Sequence, residues 1–129
     1  MINNIAQSLR YKSCIVETNV GEKIVKIKDI NYVNIEDRSA CYHLNTGNTI
    51  KSLKLRTSFN KATNHLLVNT NLYFLSPGLI LNLENIENIN QSFVNFKNGS
   101  NYPIPKKSED LIRETWLKAL TEWKNREDL

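Results

Sequence analysis

The chain is a succession of short β-prone runs, each cut off by a turn signal before it can grow into a long helix or a membrane span. Ser13-Cys14-Ile15-Val16-Glu17-Thr18, the turn Asn19-Val20-Gly21-Glu22 and Lys23-Ile24-Val25-Lys26-Ile27 predict an opening hairpin. Lys28-Asp29 breaks the pattern, and Ile30-Asn31-Tyr32-Val33-Asn34-Ile35 resumes it with alternating character. A charged turn, Glu36-Asp37-Arg38-Ser39, leads to the strand Ala40-Cys41-Tyr42-His43-Leu44. In the next turn, Asn45-Thr46-Gly47-Asn48, Gly47 is free to take a positive φ, and Thr49-Ile50-Lys51-Ser52 starts the return strand. From Leu53 to about Leu67 the spacing of Leu55, Phe59 and Ala62 or Thr63 predicts a central helix.

The second half repeats the β rhythm. Leu72-Tyr73-Phe74-Leu75 and Leu79-Ile80-Leu81 flank a turn at Ser76-Pro77-Gly78. Ile86, Ile89, Phe93, Val94 and Phe96 mark two strands around Asn90-Gln91. Lys97-Asn98-Gly99-Ser100 is a turn, and a short strand runs from Tyr102 to Pro105. Ser108-Glu109-Asp110 predicts the start of a helix, with a capping side chain and acids in its first turn, that runs to about Lys124. Ile112, Trp116, Leu120 and Trp123 share one of its faces, with Ala119 beside them.

With 129 residues the chain fits one domain. The expected fold is mostly β with minor α: small antiparallel sheets, one central helix and a C-terminal helix. It divides into an N-terminal segment over 1–12, with a weak helical patch from Ile5 to Leu9, a β-rich module over 13–107 and an amphipathic helix over 108–129. No apolar run approaches the roughly 18 residues of a membrane span, and no secretory signal opens the chain. A cytoplasmic location is the default expectation. Cys14 and Cys41 match no metal or redox spacing and are expected to be buried small hydrophobes. His43 and His65 have no carboxylate or cysteine at ligand spacing. No catalytic triad, phosphate loop or carboxylate pair stands out, so no enzyme, metal or cofactor is expected.

Net charge is +4, which permits nucleic-acid binding without demanding it. Residues 1–28 carry five basic and two acidic groups, whereas residues 100–129 carry six of each. There is no continuous basic tail, so any anion-binding face must be assembled by folding.

The order of elements resembles the LytTR family of DNA-binding domains over about residues 13–115. Asp29-Ile30-Asn31-Tyr32-Val33 is similar to the family's Asp-Ile-x-Tyr strand, and Thr46-Gly47-Asn48-Thr49-Ile50 to its glycine turn. Leu79-Ile80-Leu81-Asn82 stands where its apolar run ending in Asn belongs, followed by Ile86-Glu87-Asn88-Ile89. Phe93-Val94-Asn95-Phe96-Lys97-Asn98-Gly99 matches the penultimate hairpin, and Tyr102-Pro103-Ile104-Pro105-Lys106-Lys107 the last element. The resemblance implies about ten strands in small antiparallel sheets and contact with double-stranded DNA through loops rather than a recognition helix. Those loops map to residues 36–39, 76–78 and 105–107. The chain departs from the family where His-Arg-Ser becomes Ser76-Pro77-Gly78, where Pro105 replaces serine, and where Lys106 and Lys107 replace arginines. A lysine is a point charge without the planar fork that suits guanine.

The DNA-contact candidates implied by the resemblance are Arg38, Ser39, Ser76, Gly78, Lys106 and Lys107. Each has a plainer reading. Arg38 contacts a base, or is a surface arginine paired to Glu36 or Asp37. Ser76 and the Gly78 N–H donate to phosphate, or form an ordinary turn. Lys106 and Lys107 neutralise phosphates, or guard a strand end. Lys51, Lys54 and Arg56 cluster near the expected helix start as candidates for phosphate contact, or as solvated surface. Asn82 is expected to hold its loop by side-chain-to-backbone bonds. Ile112, Trp116, Leu120 and Trp123 pack on the domain's own sheet, or offer a surface to a second copy or a protein partner. Two functions follow: a sequence-specific regulator of promoter DNA, or a LytTR-like module that has lost DNA binding and docks a partner through its last helix.

Overall fold

The structure, a computed structural model, describes the backbone of residues 13–68, 71–76 and 78–127, and the side chains of these except 67, 68, 76 and 124–127. The expected patch from Ile5 to Leu9 lies outside the described residues.

Ten strands form three antiparallel sheets. β1 (Ser13–Thr18) and β2 (Gly21–Lys26) are the predicted opening hairpin. β3 (Ile30–Glu36), β4 (Ser39–Leu44), β5 (Thr49–Lys54), β6 (Leu72–Ser76) and β7 (Leu79–Asn82) make a five-stranded sheet in the order β5-β4-β3-β7-β6. β8 (Ile86–Asn90), β9 (Phe93–Phe96) and β10 (Asn101–Pro103) make the third. This is the mostly β, small-sheet architecture that the alternation and turn signals predict.

The five-stranded sheet is covered on both faces. One face joins Val33, Ala40, Tyr42 and Ile80 to Cys14, Val16 and Val25 of the hairpin and to Phe59 and Leu66. The other joins Leu79 and Leu81 to Ile86, Val94 and Phe96 of the third sheet and to Ile112. β7 lies between the two cores and all four of its residues are buried, which is why it reads as an unbroken apolar run rather than an alternation. Both cysteines are buried free thiols, and burial pushes each pKa up to about 11, so they serve as small hydrophobes.

Two helical expectations are corrected. The central helix predicted from Leu53 to about Leu67 is one short α-helix, α1 (Phe59–Thr63), followed by a 3-10 stretch over Asn64–Val68. Leu53 belongs to β5, and the apparent spacing of three and four joins a strand end to the true helix. Ser58 caps α1 by accepting from the Lys61 N–H at 3.2 Å. The last helix, α2 (Lys106–Glu127), starts two residues before Ser108. Lys106 and Lys107 therefore occupy its first turn and do not end a strand. Its inner stripe is Ile112, Trp116, Ala119 and Trp123, which pack into the second core.

Candidate nucleic-acid interface

The β3–β4 hairpin turns on Asp37 and Arg38, with φ of 49° and 65°. Two positive φ values in a two-residue loop are the mark of a type I′ turn, which normally recruits Asn or Gly. Holding an arginine in the left-handed region costs about 1 kcal/mol. The turn is tied to the start of the next segment by a bond from the Leu55 N–H to the Arg38 carbonyl at 2.8 Å. The Arg38 side chain is exposed and makes no ion pair among the described residues, so the expected alternative of pairing to Glu36 or Asp37 does not occur.

The β6–β7 turn approaches the same hairpin from the side. The Ile35 N–H donates to the Gly78 carbonyl at 3.1 Å. Gly78 has a φ of +92°, and a Cβ there would meet the Ile35 Cγ2 at 2.8 Å. Glycine is required on both counts. Pro77 and the Ser76 side chain lie outside the described residues.

The junction between β10 and α2 completes the group. A cleft of about 310 Å³ is lined by Asn34 and Ile35 of β3, Leu75, Gly78 and Leu79 around the second turn, and Tyr102, Pro103, Pro105 and Ser108 at the third. Three segments separated by tens of residues in sequence thus meet at one end of the five-stranded sheet. Lys106 and Lys107 are exposed beside it. In the same turn of α2, Glu109 accepts from the Ser92 N–H at 2.6 Å and pairs with Arg113 at 3.4 Å, while Arg113 also binds Asp110 at 3.2 Å and the Ile89 carbonyl at 2.8 Å. The Ser92 N–H and the neighbouring cations, Arg113 first, hold the Glu109 carboxyl below its ordinary value.

On the other side of the β3–β4 hairpin, a wider groove of about 810 Å³ brings Arg38 together with Lys54 and Arg56 over a floor that includes Val16, Ala40 and Tyr42. None of these three cations makes an ion pair among the described residues. Lys51, paired with Cys41 farther along β5, does not line the groove.

Three expected site residues are placed elsewhere. Ser39 is 2% exposed, in register with Glu36 and Lys54, so its side chain is not presented at the surface. Ile112 is fully buried and belongs to the core, not to a docking face. Leu120 is 39% exposed and lies off the stripe formed by Ile112, Trp116 and Trp123. Of the exposed leucines of α2, Leu117 and Leu120 are neighbours about 60° apart, whereas Leu111 points well away from both, so together they make a two-leucine patch and no continuous apolar stripe. The Trp116 indole N–H is buried with no hydrogen-bond partner among the described residues.

The expected break at Asn90-Gln91 lies one residue early: the turn is Gln91-Ser92, whose φ values of 53° and 65° make it a second type I′ turn, and its clasp by Glu109 has no signal in the sequence. The sequence reading missed Tyr102 and Asn34 in the cleft, which no local motif marks.

No family model matches the chain, and no curated protein matches it in sequence. Among solved structures, it is similar to the LytTr DNA-binding domain of a protein described as a methyl-accepting/DNA response regulator from Bacillus cereus. The TM-score is 0.60 at 16% identity, covering 81% of this chain and 95% of the other. The strand order, the turns and the β-rich layering therefore share one architecture with that domain, and the chain has the LytTR-type fold.

Proposed function

We propose that this chain is a regulator that binds double-stranded DNA with the loop end of its five-stranded sheet. The observation that carries the reading is that Asn34 and Ile35 leading into the first loop, Gly78 of the second, and Pro105 and Ser108 on either side of Lys106 and Lys107 line one cleft, while Arg38 is exposed on the turn that follows, in the neighbouring groove with Lys54 and Arg56. The shared architecture supports it, since the solved domain is described as DNA-binding.

The roles follow from side-chain chemistry. Arg38 makes no ion pair among the described residues and stands on a two-residue turn, from which its planar fork can take the O6 and N7 of a guanine in the major groove. Lys106 and Lys107 sit at a helix start, where their charge opposes the local dipole by about 0.3–1 kcal/mol each. A phosphate there relieves that opposition and meets the N-terminal N–H groups as well. Lys54 and Arg56 extend phosphate contact along the outer side of the hairpin, with Lys51 as a further candidate. The Gly78 turn, and Ser76 within it, approach the backbone between them. Sequence-specific reading of promoter DNA by Arg38 is the finer part of the proposal, and a cytoplasmic location goes with it.

Fluorescence anisotropy against fragments of the protein's own upstream region tests this reading. Affinity should fall steeply with salt, because bound phosphates release counterions. Replacing Lys106 and Lys107 by alanine should weaken binding and flatten the log–log salt slope by roughly 2. No salt-sensitive binding tighter than about 10 µM, weaker than the usual specific range, would overturn it.

A further inference from the structure

Among the described residues, the opening hairpin leaves one sheet edge open. β2 has β1 as its single strand partner among the described residues, and every β2 residue except Val25 is exposed. The hairpin closes on the pair Thr18 and Gly21, and in a two-residue hairpin these exchange both backbone bonds. Such narrow pairs recur at every second position, at Val16 with Lys23 and Cys14 with Val25. The backbone N–H and C=O groups of Glu22, Ile24 and Lys26 therefore point away from β1, toward the open edge.

The solvent face of the hairpin carries two liabilities. Ile15 and Ile24 stand directly opposite each other and are 60% and 74% exposed. Glu17 and Glu22 are also directly opposite, and like charges in that position repel. Neither glutamate has an ion-pair partner among the described residues. Lysines on an edge ordinarily keep other strands away. Here the edge is instead complementary to itself.

We propose that β2 pairs antiparallel with β2 of a second copy, with Ile24 on the two-fold axis. In this register all three outward-pointing residues meet as narrow pairs. Ile24 faces its counterpart, and Glu22 of each copy faces Lys26 of the other. The two hairpins become one four-stranded sheet with a continuous row of four isoleucines. Each Glu22 gains a lysine beside the repelling Glu17. Sliding the register by two residues one way sets Lys23 against its own counterpart, and sliding it the other way sets Ile24 against Lys26. Either slide breaks both Glu22–Lys26 pairs. A six-residue edge buries less than the ~1,000 Å² of a stable interface, so the dimer dissociates on the order of 10–100 µM. This inference is independent of the DNA reading.

Sedimentation velocity on the full chain at low salt, from about 5 to about 500 µM, tests it. The expected result is a concentration-dependent dimer. Glu22→Lys and Lys26→Glu each turn two opposite-charge pairs into like-charge pairs and should raise the dimer Kd roughly tenfold. The double variant Glu22→Lys/Lys26→Glu recreates both pairs in reverse and should return the Kd to within about threefold of the original. Both positions are exposed, so far-UV circular dichroism should be unchanged, and comparing the double variant with the single ones keeps the test decisive if one of them folds poorly. A monomer at every concentration overturns the proposal. So does a dimer indifferent to the single swaps, or one that the double swap fails to restore.

Discussion

The two ends of the five-stranded sheet are finished in opposite ways. At one end, asparagine amides staple four connections together. Asn82 donates to the carbonyls of Ile27 and Ile30 at 3.3 and 2.8 Å, and accepts from the Glu84 N–H at 3.2 Å. Asn85 donates to the carbonyls of Lys28 and Ile30, and to Asn31. Asn31 in turn reaches Asn98 and Ser100, and Asn98 donates to the Asn45 carbonyl. At the other end the turns carry arginine, glycine and lysine, and the cations Arg38, Lys54 and Arg56 are left without ion-pair partners among the described residues. One end satisfies its polar groups within the fold, and the other is the end proposed to meet DNA.

The same contrast is drawn on a finer scale between the two type I′ turns. Both place ordinary side chains at positive φ. The Gln91-Ser92 turn is gripped by its own fold, through the Glu109 carboxylate on the Ser92 N–H and the Ile104 N–H on the Ser92 carbonyl at 2.9 Å. The Asp37-Arg38 turn is held through the Arg38 carbonyl, and its guanidinium makes no ion pair among the described residues. On the proposed reading the first is a structural turn and the second a ligand-facing one.

The largest expected effect lies at the stapled end. Asn82→Ala removes its bonds to the Ile27 and Ile30 carbonyls, which keep the Ile30 N–H and Asn85 as donors, and takes the acceptor from the Glu84 N–H, so it should lower stability by about 2 kcal/mol in urea unfolding. DNA affinity per folded molecule should stay unchanged. A weakened affinity with intact folding would erase the distinction between the ends. Arg38→Gly should do the reverse. It relieves the left-handed strain, so stability should be unchanged or up to about 1 kcal/mol higher. DNA binding should weaken roughly tenfold, within the 1–3 kcal/mol range of a bidentate base contact. If Arg38→Gly binds as well as the parent, the turn is not a reading element.

A smaller effect concerns the clasp. The Glu109 carboxyl is held below its ordinary value of 4.5 by the Ser92 N–H first and then by the neighbouring cations, Arg113 before Lys106. A carboxylate with a depressed folded pKa stabilises the fold fully above the unfolded value. That contribution is lost as the pH falls below 4.5 and through the depressed folded value. Thermal unfolding followed from pH 7 to pH 3 should show Glu109→Gln starting lower and losing less than the parent on the acid side. Parallel curves would show that the clasp adds nothing.

Much of the sheet was legible because its signals are local. Gly47 and Gly99 mark the turns they occupy, and the Leu79-Ile80-Leu81 run of β7 is apolar without alternation because both of its faces are buried. The expected central helix is too long because Leu55, just past the end of β5, happens to stand four residues from Phe59, whereas the helix starts only at the Ser58 cap. The asparagine staple was only partly readable. The holding role of Asn82 follows from its residue type, but its carbonyl partners lie 52 and 55 residues away. Of the candidate site, the loops were legible through the order of motifs. The burial of Ser39 was not, because nothing in the string Glu36-Asp37-Arg38-Ser39 says that the turn is two residues long and the serine already paired.

The central claim is that nucleic acid meets the open end and leaves the stapled end untouched. A backbone amide NMR titration with duplex DNA from the upstream region tests it most directly. The account predicts shifts concentrated at Asp37, Arg38, Lys54, Arg56, Gly78, Lys106 and Lys107. It predicts little change at Asn45, Asn82, Asn85 and Asn98. Shifts centred on those asparagines, with Arg38 and the two lysines unmoved, would contradict it.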